Sequence, residues 1–194
     1  MRRRYLITKL LGVVTVTFGL AFFTSNPALA HCDTMDGPVV KAAQKALSTK
    51  NVNLVLIWVQ EKDETVIKQA FRQTLAVRKL NRDAKNLADK YFFETLVRLH
   101  RAGEGEPFTG IEPAGTDPGL IIRVADTALK DNAPEPLLRL FPAANTVEVH
   151  TRFKDVIARN RFNENDVAAG REYVKAYVSF LHYLEHLSAK VAQK

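Results

Sequence analysis

The donors best suited to metal chemistry in this chain are a dipeptide, His31-Cys32, standing directly after Ala28-Leu29-Ala30. Ala-x-Ala is the pattern at which secretory leaders are cut. A cut there would place a free α-amine, the His31 imidazole, the Cys32 amide and the Cys32 thiol within two residues. An α-amine has a pKa of roughly 7.7–8.0, so a metal displaces its proton readily near neutrality. Thiolate, imidazole and amine together select Ni, Cu, Co or Zn over Mg and Ca. The Cys32 amide nitrogen, once deprotonated, closes two fused five-membered rings between amine and thiolate, which suits square-planar Ni(II) or Cu(II). A nearby cation also draws a thiol below its free value of about 8.5. Asp33, Met35 and Asp36 follow closely, with Asp36 the candidate for a further ligand.

The segment ahead of the dipeptide carries the rest of a secretory leader. Arg2, Arg3, Arg4 and Lys9 form a positive start, and Leu10 to Phe23 is apolar and uncharged. The apolar run is shorter than the ~20 residues a membrane helix needs. The expected organisation is a cleaved leader over 1–30 and one helical domain over 31–194, exported to a periplasmic or extracellular space, with no stable membrane span after cleavage. The whole chain has a net charge of +7. Its four leader cations leave with the leader, so the remainder is close to +3, which argues against nucleic acid as a partner. A lone cysteine in an oxidising compartment must pair between chains to give a homo-oligomer, bind metal, or remain a reactive thiol. The rival use of Cys32 is lipidation, against which stands His31 where a tiny residue is normal.

Other histidines could complete a site. His182 and His186 lie at i and i+4, on one face of the last predicted helix, a spacing that can clamp a metal. The segment His182-Tyr183-Leu184-Glu185-His186 is not the zinc-protease His-Glu-x-x-His, because Glu185 does not follow the first histidine. The bland use of this pair is a solvated one. His100 borders the Phe92/Leu96/Leu99 seam and reads first as a satisfied core residue, and His150 as a surface residue. Glu104 and Glu106 read as solvated loop charges. If a helical histidine reached the N-terminus, it would join the amine and imidazole of His31 in a brace of the kind that holds copper, with His182 the first choice of partner and His100 the second.

His31-Cys32-Asp33-x-x-x-Gly37 resembles the N-terminal hook of nickel superoxide dismutases, which begins His-Cys-Asp-x-Pro-Cys-Gly-x-Tyr. In that family nickel sits on the terminal amine, the first histidine and two cysteines of a helical bundle. The resemblance implies ligand roles for His31 and Cys32. The chain departs from the hook at Asp36, which replaces the second cysteine, at Met35, which replaces the proline, and at Val39, which replaces the tyrosine. Over most of its remaining length the chain is similar to a family of exported bacterial helical proteins of unknown function.

The elements that must position these residues read as helices throughout. Gly37-Pro38 opens the first, since proline is tolerated where a first-turn N–H has no partner. Val52 to Val59 is a compact apolar run taken as helical, although periodicity alone does not separate helix from strand there. Asp63 is placed to cap a helix bearing Ile67, Ala70, Phe71, Thr74 and Leu75. Asn81-Arg82-Asp83 interrupts before a helix over about 84–101. Residues 102–118, rich in glycine and proline, form a long loop, either functional or a plain crossover. Asp117-Pro118 starts the next helix, and Pro134-Glu135-Pro136 opens a short turn through Phe141. Asn145-x-x-Glu148 resembles a capping box. Asn163 to Asp166 begins a long last helix with Val174, Tyr177, Val178, Leu181 and Leu184 as its stripe. The fold class expected is all-α, an antiparallel helical bundle of four main helices with short additional ones.

The functional expectation is an exported helical protein that binds nickel or copper through His31 and Cys32. Its redox form is one-electron chemistry on superoxide or a similar oxidant, and its other form is metal handling. The alternative is a non-enzymatic exported bundle that takes a partner or small ligand through the 102–118 loop. No phosphate-binding loop, nucleophile elbow, Cys-x-x-Cys or dinucleotide fingerprint is present.

Overall fold

The computed structural model describes residues 29–192; the charged and apolar parts of the expected leader lie outside the described residues. A short 3₁₀ turn, Leu29–Asp33, is followed by eight α-helices: α1 Pro38–Thr49, α2 Asn53–Leu56, α3 Glu64–Val77, α4 Arg82–Glu104, α5 Leu120–Asp131, α6 Glu135–Leu138, α7 Ala143–Arg159 and α8 Val167–Ala192. No strand occurs among the described residues; one isolated bridge joins Thr34 to Glu112. The protein is all-α. No described helix is long and apolar enough to cross a membrane.

The packing is dominated by two helical hairpins, α3–α4 and α7–α8, with α1 lying on α4 and α5 on α8. The short links from Val77 to Arg82 and from Arg159 to Val167 make each hairpin antiparallel. Helices α1, α2 and α5 lie against the hairpins, α1 on α4 and both α2 and α5 on α8. The core stripes follow helical periodicity. Val39, Val40, Ala43 and Leu47 of α1 are buried, as are Phe92, Leu96 and Val97 of α4 and Phe180 and Leu184 of α8. Phe71 and Phe92 bring their rings to 5.5 Å across the first hairpin.

Several helix starts match their local signals. Pro38 occupies the first turn of α1, the Asn81 side chain accepts the Ala84 N–H at 2.8 Å, and Asp166 accepts the Ala169 N–H at 3.0 Å. Others differ. Asp63 precedes α3 but makes no capping bond, because its own backbone (φ −94°, ψ −6°) continues the 3₁₀ turn Glu61–Asp63. A side-chain cap needs an extended residue at that position. The capping box at Asn145 does not form. Pro142, extended at φ −56° and ψ 147°, starts α7 two residues earlier, and Glu148 instead accepts from Arg152 at 2.7 Å. Asp117 accepts the Gly119 N–H at 2.8 Å, and α5 begins only at Leu120. Of the apolar run 52–59, only Asn53–Leu56 is α-helical, and the chain then turns through Val59. That turn packs on Gly170 of α8, where a Cβ would stand 2.3 Å from Ile57 Cγ2.

Candidate metal centre

The segment carrying His31 and Cys32 is held by backbone bonds to the glycine-rich loop. Glu112 donates its N–H to Asp33 O at 3.0 Å, and Met35 donates its own to Glu112 O at 3.0 Å. The Gly115 N–H is accepted by Asp36 Oδ2 at 3.0 Å. The loop is therefore a strap across the N-terminal segment. The chain then folds back sharply, with the Gly37 N–H on Thr34 O at 2.9 Å. A Cβ at Gly37 would lie 2.3 Å from His31 O, so the close approach requires glycine.

This strap turns His31, Cys32 and Asp33 into the interior, where they meet α4, α5 and α8. The Cys32 thiol is buried and unpaired. His31 keeps 11% of its side chain exposed and places Nε2 2.8 Å from Asp126 Oδ2 on α5. Asp126 Oδ1 accepts the Tyr177 hydroxyl of α8 at 2.9 Å. A carboxylate only accepts, and so close an approach favours hydrogen on Nε2 of His31. In the neutral ring Nδ1 is then the lone-pair nitrogen. It is buried and has no hydrogen-bond partner.

A second polar chain runs beside it. Asp33 Oδ2 lies 3.4 Å from Arg101 Nε, and Arg101 reaches Glu104 Oε2 at 3.2 Å. Glu104 Oε1 lies 3.3 Å from His100 Nε2, and His100 Nδ1 is 2.9 Å from Trp58 O. Because a carbonyl only accepts, His100 donates from Nδ1, and its Nε2 lone pair faces Glu104. Neither that nitrogen nor Glu104 Oε1 has a hydrogen-bond partner, so a proton is held by one of them singly. Burial, with Asp33 adding to it against Arg101, pushes the Glu104 carboxyl up to about 7. Burial likewise depresses His100 to about 4. The proton therefore rests on Glu104 in weakly acidic solution.

Charge in this region is unbalanced. Asp33, Glu104, Asp126 and Glu185 surround the dipeptide, and Arg101 is the cation among them. Burial raises Asp33 to about 6 and Glu185 to about 7. Burial, followed by Glu104 and Asp33, pushes the Cys32 thiol well up. Asp33 Oδ1 and Glu185 Oε1 are buried without hydrogen-bond partners. Each of these shifts has the sign that a nearby cation would reverse.

His31, Cys32, Arg101, Glu104 and His182 line one small void of about 10 Å³, about one water-sized sphere. The structure thus brings His31, Cys32 and His182 together. His100 sits one residue's contact away, through Glu104. His186 is exposed and lies with His182 and His100 on a larger cavity. Asp36 is exposed, and the cavity it shares with His31 does not include Cys32. Among the described residues, no group of three or more His, Cys, Asp or Glu side chains is placed so that it could hold a metal ion. The His31 nitrogen is a peptide amide while Ala30 precedes it, and it becomes a donor only after cleavage.

The sequence reading missed Asp126, Tyr177 and Arg101, and it placed Glu104 in a solvated loop. Helix α4 instead runs on to Glu104, closed by Gly105 at φ 80°, and the Glu104 side chain is only 12% exposed. A signal for Asp126 did exist: it stands four residues after Ile122, on the face of α5 that Ile122 buries.

No curated protein and no solved structure matches the chain. A family model matches residues 36–183, a span that holds His100, Asp126, Tyr177 and His182 and begins just after His31 and Cys32. By that match the chain belongs to DUF6448, a family of unknown function.

Proposed function

We propose that this protein is exported and processed before His31, and that it holds a late first-row transition metal, nickel or copper, on the α-amine and Nδ1 of His31 and the thiolate of Cys32. One observation carries the reading: His31 Nε2 is paired with the Asp126 carboxylate at 2.8 Å, while Nδ1 is buried and without a partner. Nδ1 is the ring nitrogen that chelates together with its own α-amine. A histidine ligand oriented through its other nitrogen by a carboxylate is a recurrent device of metal sites. The excess of acidic side chains around Cys32, whose raised carboxyls a bound cation would ionise, supports a cation at the same place, and the hook resemblance supports nickel. His182 lines the void beside both donors and is the protein ligand nearest to completing the set.

A bound metal would supply Lewis acidity and, for nickel or copper, one-electron chemistry. With Asp36 turned to solvent and bonded to Gly115, Cys32 is the one thiol available, and the void admits nothing larger than water. Metal handling fits these facts better than turnover of superoxide. Because the thiol sits well above its usual range, uptake must release its proton, and affinity falls as pH is lowered.

The test compares natively processed protein with a form bearing one extra alanine ahead of His31. The native form should carry stoichiometric nickel or copper and show a thiolate-to-metal charge-transfer band, and the extended form should lose both. Equal metal binding by the two forms would sink the proposal. So would a mature terminus that starts elsewhere, or lipid on Cys32.

A further inference from the structure

A cavity of about 750 Å³ lies between α8, the Ile57–Gln60 turn and the C-terminal end of α4. That volume falls within the range of sites that enclose small organic molecules. Much of its wall is apolar, from Ile57, Val59, Val174 and Val178, with the rings of Trp58 and Tyr183.

The charged groups in the wall are nearly all committed. Arg152 donates to Glu148 at 2.7 Å and lies 4.5 Å over the Tyr183 ring. Arg171 is held by Val59 O at 3.0 Å and by Glu64 at 2.6 Å. Glu104 is tied to Arg101, and Glu172 lies 3.5 Å from Arg159. Lys175 is the exception: among the described residues, no carboxylate lies within ion-pairing distance of it. The wall therefore offers one free cation beside an apolar surface.

We infer that this cavity binds a small organic carboxylate with an apolar body, its carboxylate on Lys175 and its body against Trp58, Val174 and Val178. A single uncommitted cation matches a monoanion. A phosphate dianion would face Glu104 and Glu172 with one ammonium to offset it. A cationic ligand would meet Lys175 itself and arginines already paired. Val178, Glu104 and His182 line both cavities, but the inferred ligand touches neither His31 nor Cys32, and titration in chelator separates its binding from the metal reading.

Trp58 is the chain's one tryptophan, so its fluorescence reports on this wall directly. The experiment titrates decanoate, below its micelle concentration and in chelator, into the full chain, beside decanol and decylamine. Decanoate should give a saturable change in emission, and the alcohol and amine should bind at least tenfold more weakly. Lys175→Glu, on an exposed position of α8, should weaken decanoate at least tenfold with helical circular dichroism unchanged. Filling the cavity with Val178→Phe should abolish the decanoate response in a second variant. The inference is overturned by no saturable response, by decanol or decylamine binding as well as decanoate, or by full affinity in Lys175→Glu.

Discussion

Replacing Asp126 with asparagine changes no volume and tests the tautomer on which the metal reading rests. The carboxylate accepts the Tyr177 hydroxyl at 2.9 Å and pairs with His31 Nε2 at 2.8 Å. An amide can accept only one and must donate the other. Tyr177 is buried, and its hydroxyl hydrogen needs an acceptor, so the amide oxygen goes to Tyr177 and the NH₂ turns to His31. Nε2 must then become the lone-pair nitrogen, and Nδ1 takes the hydrogen. To ligate, the ring must break that bond and strand a buried donor, at about 1–3 kcal/mol. That cost corresponds to roughly a 10–100-fold loss of affinity, the range seen when a carboxylate behind a metal-bound histidine is removed. Nickel affinity of the processed protein is measured by competition with a chelator at fixed pH, and the ring ¹⁵N shifts of His31 are read in metal-free protein. Asp126→Asn should move the hydrogen from Nε2 to Nδ1 and weaken nickel by that factor. Tyr177→Phe, which leaves the His31 contact intact, should cost less. Parent affinity with the tautomer reversed, or an unmoved tautomer, would refute the reasoning.

Three further outcomes follow from the same structure. Burial raises the Glu104 carboxyl from 4.5 to about 7, so its contribution to stability is complete below about 4.5 and is lost as pH rises through about 7. Glu104→Gln should therefore leave the thermal midpoint near the parent value at pH 5 and raise it at pH 8.5, by a free energy on the order of 1–3 kcal/mol; equal effects at both pH values would contradict this. Gly170→Ala places a methyl 2.3 Å from Ile57 Cγ2 and 2.9 Å from Phe162 Cε2, and denaturant unfolding should show a loss of about 1–3 kcal/mol from overpacking despite alanine's better helix propensity. Asn81→Ala removes the bond to the Ala84 N–H and should cost about 1 kcal/mol by the same measurement, whereas Asp63→Ala, at a residue that makes no capping bond, should cost markedly less.

What could be read from the amino-acid order is what depends on near neighbours. Gly37-Pro38, Asn81 and Asp166 mark helix starts because the groups they satisfy lie within a few residues. The buried stripes of α1, α4 and α8 follow from 3.6-residue periodicity, and with them the all-α class. The same local logic failed at Asn145, where Pro142 had already set the backbone for a helix, and at Asp63, where a preceding turn had. His31, Cys32 and His182 could be nominated from side-chain chemistry alone. Their surroundings could not. Asp126 meets Tyr177 across 51 positions of chain, His100 meets Trp58 across 42, and the loop around Glu112 straps a segment nearly eighty residues earlier. No periodicity encodes such pairings, because each arises only when separate helices bury their apolar faces and carry the polar groups inward with them. The order of residues supplied the donors. The packing of α5 against α8 decided which nitrogen of His31 meets a carboxylate and which is left buried without a partner.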